Sequence, residues 1–352
     1  MSSAPLSRRR FLRAGVGGAG AISVAAMGVS IGTGRDSVPS GPVPSSGLPA
    51  VVAHETHPMP TVMGEVNHVA NGFNPSDILV DFDGGEVSIL PGGQTLHEYT
   101  FVAQNKTIEV VPGVTFAAWT YNGRIPGPTI RVREGDRVRI HFHNAGDHEH
   151  SMHFHGIHPG GVDGVFDMRS GVVKPGGRHT YEFDAEPFGL HLYHCHTAPL
   201  AKHIAKGLYG AFIIDPKAGR PAADREFVMV TSGYDIDFDG ENDLYLVNGI
   251  PFHYDHGKHP IKLRVGELVR IYLVNVLEYD QLNSFHMHAN FFHYYPTGTM
   301  LTPSEFTDTI SQVQGQRGIL EFRYKHPGRY MFHAHKTEFA ELGWTGVFEV
   351  EA

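Results

Sequence analysis

Four segments of this 352-residue chain occur twice, in the same order. YNGRIPGPTIRVREGDRVRIHFHN (121–144) returns as VNGIPFHYDHGKHPIKLRVGELVRIYLVN (247–275). HSMHFH (150–155) returns as NSFHMH (283–288), EPFGLHLYHCH (186–196) as HPGRYMFHAH (326–335), and GLYGAF (207–212) as GWTGVF (343–348). Two copies of one domain follow, with a boundary between Pro216 and Arg225. Within each copy, short alternating apolar and polar runs are parted by turn signals, as in TIRVREGDRVRIHFHN and RHTYEFDAEPFGLHLYHCH. No pattern supports a long helix. The expected fold class is all-β, with sandwich or barrel domains at 98–220 and 221–352.

The 25 histidines fall in a few short runs, and the only cysteine, Cys195, sits inside one of them. Side chains of a strand alternate faces with period two. His194 and His196 therefore share one face and Cys195 points to the other, while His153 and His155 share a face that His150 does not. Cys195 with His150, His203 and the downstream Leu208 gives a thiolate, two imidazoles and an apolar residue where a weak axial ligand can stand. That is the donor set of a blue-copper electron-transfer site, and a missing axial thioether raises its reduction potential. In the second copy the same positions are Asn283, Ala334, Phe339 and Trp344, so this set is lost there. The flanking pairs survive as His286 and His288, His333 and His335. The His-x-His pairs thus serve something other than the cysteine site. Together they supply eight imidazoles, enough for three coppers, whereas a structural zinc takes four ligands.

NGRIPGPTIRVREGD, HFHG, HCH, HMH and HAH, in this order from about residue 98 onward, resemble a two-domain multicopper oxidase. The resemblance implies two Greek-key cupredoxin domains and four coppers per chain: one type 1, one type 2 and a type 3 pair. It places type 1 ligands on His150, Cys195 and His203, with Leu208 at the axial position, and type 2 ligands on His153 and His286. Type 3 ligands fall on His155, His194, His196, His288, His333 and His335. The implied reaction is laccase-like: one-electron oxidation of phenols, aromatic amines or similar small donors, coupled to four-electron reduction of O2 to water. In it the His194-Cys195-His196 tripeptide is a covalent bridge between two metal sites. Asp163 resembles the family's acid near the type 2 copper, and Glu338 is a second candidate proton donor. Each domain carries half of the three-copper cluster. In two-domain members the halves meet between chains, implying a homotrimer with clusters at the interfaces. The layout H-x-x-H-x-H then C-x7-H-x4-L also resembles copper nitrite reductase, which has an aspartate in place of His153 and a single catalytic copper. A copper-storage or electron-carrier role is a third reading. The Met residues form no rich run, which disfavours a cuprous oxidase.

SRRRFLRAG (7–15) and the weakly apolar stretch after it resemble a twin-arginine export signal, read as residues 1–36. The expected location is periplasmic or extracellular, with no membrane attachment once the signal is removed. Residues 37–97 read as a flexible leader and an irregular extension. His54, His57, His68 and His97 of that extension are solvated, cover the blue site, or bind extra copper. The formal charge of -9 argues against a nucleic-acid partner.

Overall fold

A computed structural model describes residues 65–165, 171–255 and 258–352. The proposed signal and the Pro/Ser/Gly-rich leader lie outside these residues. In the first domain, one sheet runs in the order Glu86–Ile89, Thr95–Val111, Arg137–Asn144, Arg178–Asp184, with Val114–Tyr121 also paired to the long strand. The second sheet runs Ile130–Arg133, Tyr209–Asp215, Gly189–His194, His153–Phe154. The second domain repeats this plan. The parallel pair Thr95–Val111 and Arg137–Asn144 is matched by Arg225–Tyr234 and Val269–Asn275. The parallel pair Ile130–Arg133 and Tyr209–Asp215 is matched by Ile261–Arg264 and Thr345–Glu351. Crossovers that place parallel neighbours inside otherwise antiparallel sheets make each domain a Greek-key sandwich, and the duplication read in the sequence is a duplication of topology.

Alternation explains most of the strands. In Arg137–Asn144 the residues Val138, Ile140, Phe142 and Asn144 are buried, and their neighbours are not. Several strands break the rule, among them the short Leu244–Val247, which is buried throughout. Every residue of Gly189–His194 and of Val269–Asn275 is buried. Their two faces meet two different cores. Val269, Ile271 and Leu273 join the second domain's own core, whereas Tyr272 and Val274 join an apolar layer shared by both domains. Likewise Leu190 and Leu192 face the shared layer, and Tyr193 and Cys195 face the first domain's core.

The first domain begins earlier than the alternation predicts. The hairpin of Glu86–Ile89 and Thr95–Val111 starts before Glu98, because the first of these strands is exposed along its length and shows no apolar rhythm. Upstream of it, residues 65–79 hold two four-residue helices, each capped by an asparagine: Asn67 Oδ1 accepts from Ala70 N, and Asn74 Oδ1 from Ser76 N. This segment straps the domains together. Asn71 exchanges hydrogen bonds with the Glu109 backbone, Leu79 O accepts from Val228 N, and Pro75 O accepts from the Tyr254 hydroxyl at 2.6 Å.

A second tie is ionic. Glu226 accepts from Arg131 of the first domain at 2.8 Å, from Arg270 at 3.0 Å and from the Tyr272 hydroxyl at 2.8 Å. The Arg270 side chain is 3% exposed. Removing the carboxylate strips Arg270 of one of its countercharges in a dry place. Glu226→Ala should therefore lower stability by about 3 kcal/mol, and Glu226→Gln by less, read as the fall in thermal midpoint by scanning calorimetry.

Candidate metal centres

The strand Gly189–His194 carries the chain between two donor sets. On the core side, His150, Cys195, His203 and Leu208 are all fully buried or nearly so. The Cys195 Sγ lies 3.1 Å from His203 Nδ1 and 3.9 Å from His150 Nδ1, and the two Nδ1 atoms are 3.2 Å apart. His203 arrives on the short helix Leu200–Ala205, and Leu208 O accepts from Cys195 N at 3.0 Å. Burial pushes His150 down to about 4, and burial with His150 alongside pushes His203 down to about 3. Both rings are neutral at pH 7, with lone pairs to give. Burial pushes the Cys195 thiol up, against hydrogen bonds from Thr197 and the Ser151 backbone. A thiol and two neutral imidazoles converging in an apolar core fit a soft cation, which would supply the charge that holds the thiolate. Trp119, 5% exposed, packs edge-on against both His150 and His203, with Lys202 and Lys206 over its ring.

On the opposite face the first domain gathers His153, His155 and His194, with His196 alongside, its ring 5.2 Å from that of His153. Register brings them together: His153 stands opposite His194 across the paired strands. Their tautomers are set by backbone carbonyls. His153 Nδ1–H donates to Asp163 O at 3.0 Å and His194 Nδ1–H to Cys195 O at 2.9 Å, which leaves Nε2 bare on each. His155 Nε2 and His194 Nε2 face each other at 2.9 Å. Burial, with His194 close by, pushes His155 down to about 2, so its ring is neutral at pH 7. Asp163 Oδ1 also reaches His153 Nδ1 at 3.0 Å and stands 3.2 Å from His158 Nε2. These imidazoles open into a cavity of ≈ 230 Å³ whose far wall is Val276, Glu278, Gln314 and Gly315 of the second domain.

The second domain builds the same half again. His286 stands opposite His333, as His153 does opposite His194. His333 Nδ1–H donates to Ala334 O at 2.8 Å and His286 Nδ1–H to Asp308 O at 3.0 Å. His288 Nε2 faces His333 Nε2 at 3.0 Å, and the His335 ring is 5.1 Å from that of His286. Here the face is open: His288 and His335 are exposed. Each metal-binding cluster of His153, His155 and His194, and of His286, His288 and His333, draws its ligands from one domain only. Among the described residues, no hydrogen bond or ring contact joins the two sets. The cysteine site of this domain is filled instead. Trp344 Nε1 donates to Asn283 Oδ1 at 3.1 Å, and Phe339 stacks on Tyr245 at 3.8 Å.

Sequence reasoning missed several partners of these ligands. Thr309 Oγ1, 2.8 Å from His286 Nδ1, and Glu278 on the cavity wall belong to no motif, because a neighbouring strand and the other domain deliver them, whereas His158, just past the HFHG motif, stands beside Asp163. His191 Nδ1 lies 3.1 Å from His155 O and its Nε2 2.9 Å from Pro187 O; the ring is neutral and donates to one of the two, so it supports the site without facing it. Glu338 is ion-paired with Lys336 at 3.6 Å on the helix Thr337–Glu341. His97 bonds Gly84 O and Asp136, whereas His68 joins His253 and His259 in a separate cluster.

One thiol-imidazole set, with paired imidazoles repeated in both sandwiches, fits a copper protein of cupredoxin architecture. The chain belongs to the multicopper oxidase family, whose models match residues 102–219 and 227–352. It is 62% identical to a solved multicopper oxidase, with a TM-score of 0.80 over 82% of this chain and 100% of that one. The copper nitrite reductase structure from Nitrosomonas europaea is 30% identical, with a TM-score of 0.67, over 73% of this chain and 94% of that one. The copper-containing nitrite reductase of Neisseria meningitidis is 32% identical over 70% of this chain and 67% of its own length. The chain spans about two thirds of the length of such curated relatives.

Two outcomes test the inequality of the domains. Ala334→Cys should give no blue absorption beyond that of the Cys195 site, because Asn283, Phe339 and Trp344 occupy the other ligand positions. Leu208→Met is a near volume-conserving change, costing less than about 1.5 kcal/mol, and should lower the potential of the Cys195 site in a redox titration.

Proposed function

We propose that the chain is a laccase-like oxidase that couples one-electron oxidation of a small reducing substrate, such as a phenol or aromatic amine, to four-electron reduction of O2 to water. The observation that carries this reading is the second domain's histidine face. It keeps four imidazoles, the same cross-strand register and the same carbonyl-fixed tautomers as the first, although its own cysteine site is gone. A single catalytic copper gives no reason for that duplication.

Copper bound at these donors would supply one-electron redox chemistry at the cysteine site and multi-electron chemistry at the histidine sites. The residues divide the remaining work. Cys195 reaches one donor set through its Sγ, and its backbone continues directly into His194 and His196 of the other. His150, Cys195 and His203, with Leu208 beside them, are buried, so the site keeps its geometry and excludes water. Asp163 holds the Nδ1 proton of His153 and stands beside His158, one step behind a ring that lines the cavity, which suits it to deliver protons. We prefer it to Glu338, which is held by Lys336.

The two histidine faces complete one cluster when the first domain of one chain meets the second domain of the next. The open face of the second domain carries exposed Phe291 and Phe306 in the cleft with His286 and His288, and exposed Leu282 in the cleft with His335. A head-to-tail contact of this kind closes into a ring, and a homotrimer is the assembly we propose. We further propose export by the twin-arginine route to the periplasm or beyond. Among the described residues, no helix is long and apolar enough to cross a membrane.

Nitrite reduction is the second reading, favoured by the 32% identity to the Neisseria enzyme. The experiment that separates them is copper per chain with EPR, and O2 uptake, on wild type and His333→Ala. The oxidase predicts four coppers, only two of them EPR-visible. In the variant it predicts intact blue absorption with O2 uptake cut more than about 100-fold. Two EPR-visible coppers, with nitrite consumed and O2 untouched, would sink the proposal. Light scattering that gives a monomer at full copper loading would sink the trimer.

A further inference from the structure

We propose that His68, His253 and His259 form a further metal site, shared by neither histidine face nor by the Cys195 set, that takes a late first-row divalent cation, Cu2+ or Zn2+, and clips the N-terminal strap to the second domain. One nitrogen from each ring lies within 4.8 Å of the others. The His253 and His259 rings stack at 4.4 Å, and His68 meets His253 edge-on at 5.1 Å. Three imidazoles so placed are a ligand set for copper or zinc.

The hydrogen bonding of the cluster points to a missing occupant. His68 Nδ1 and His259 Nε2 are buried and have no hydrogen-bond partner in the protein. Buried polar atoms are normally hydrogen-bonded, so two such atoms without a hydrogen bond in one cluster need a reason. Ser76 Oγ, 2.8 Å from His253 Nε2, fixes that ring from the strap side, as outer partners of metal-bound imidazoles do. Glu65 Oε1 stands 3.5 Å from His259 Nε2 and is half exposed, free to swing in as a fourth, anionic ligand. The rings line a cavity of ≈ 20 Å³, room for about one water-sized occupant, walled by Val66, Val110, Val111 and Ile250. Burial and the neighbouring rings push His253 down to about 2, so it offers a lone pair at any physiological pH. Lys258 also lines the cavity and would disfavour a cation, an effect that Glu65 opposes.

The site joins parts of the chain that are far apart in sequence. His68 sits in the first short helix of the strap, and His253 and His259 belong to the second domain. A metal that closes so long a loop adds its binding free energy to folding.

The test is elemental analysis of copper and zinc on purified wild-type protein and on His259→Gln, with the blue absorption of the Cys195 site as internal control. His259 is a third exposed, so its replacement is tolerated. The expected result is one equivalent of Cu or Zn fewer per chain in the variant, at equal blue absorption. Added Zn2+ should restore the thermal midpoint of chelator-treated wild type but not of the variant. Equal metal counts in two equally blue proteins would overturn the proposal. Anomalous diffraction at the copper and zinc edges needs no variant. A peak among the three rings supports the site. No peak there in crystals whose Cys195 site is occupied overturns it.

Discussion

The apolar layer between the two domains is the interaction on which the rest depends. It is built from alternate residues of strands that already serve a core of their own, so those strands are dry on both sides. In the first domain this layer roofs the histidine face, and the wall of the ≈ 230 Å³ cavity comes from the second domain. Without that roof, His155 and His194 would meet water and lose the burial that holds their pKa below the ordinary imidazole value. The ionic tie at Glu226 and the strap of residues 65–79 hold the same surfaces in register. Domain packing and site chemistry are therefore one problem here, solved by the same side chains.

The asymmetry of the two copies follows from what each face touches. The inner side of the second domain lost its thiolate and imidazoles and was repacked by Trp344, Phe339 and Asn283, so the space is a core like any other. Its outer side was not repacked. His286, His288, His333 and His335 stay in a polar, half-open setting that gains nothing for a lone domain. Residues kept against the local interest of packing mark where function lies.

The sequence made the duplication and the two faces of the HCH strand legible, because both rest on spacing and on the period of a strand. His150 lies near Cys195 on the face that strand parity gives it, and His203 joins them from the helix eight residues on. What it hid arrives from elsewhere in the chain. Glu278 and Gln314 reach the cavity only through the domain arrangement, and the exposed strand Glu86–Ile89 carries no apolar rhythm to read. His68 stood in a segment without pattern, and its partners His253 and His259 lay in an insertion that the repeat does not share.

The strand Gly189–His194, which runs on directly into Cys195 and His196, has a consequence for folding fidelity. A slip of one residue sends every side chain to the other face. On most strands that exchanges polar for apolar. On this one it would turn the thiolate toward the paired imidazoles and an imidazole toward the blue site, trading soft and borderline ligands between two metals. Register is held on one side by pairing of His153 with His194 and on the other by pairing with Tyr209–Asp215. Hydrogen-bond pairing in this sheet thus acts as quality control over metal chemistry, since a strand set one place wrong would be a misassembled redox centre before it was an unstable fold.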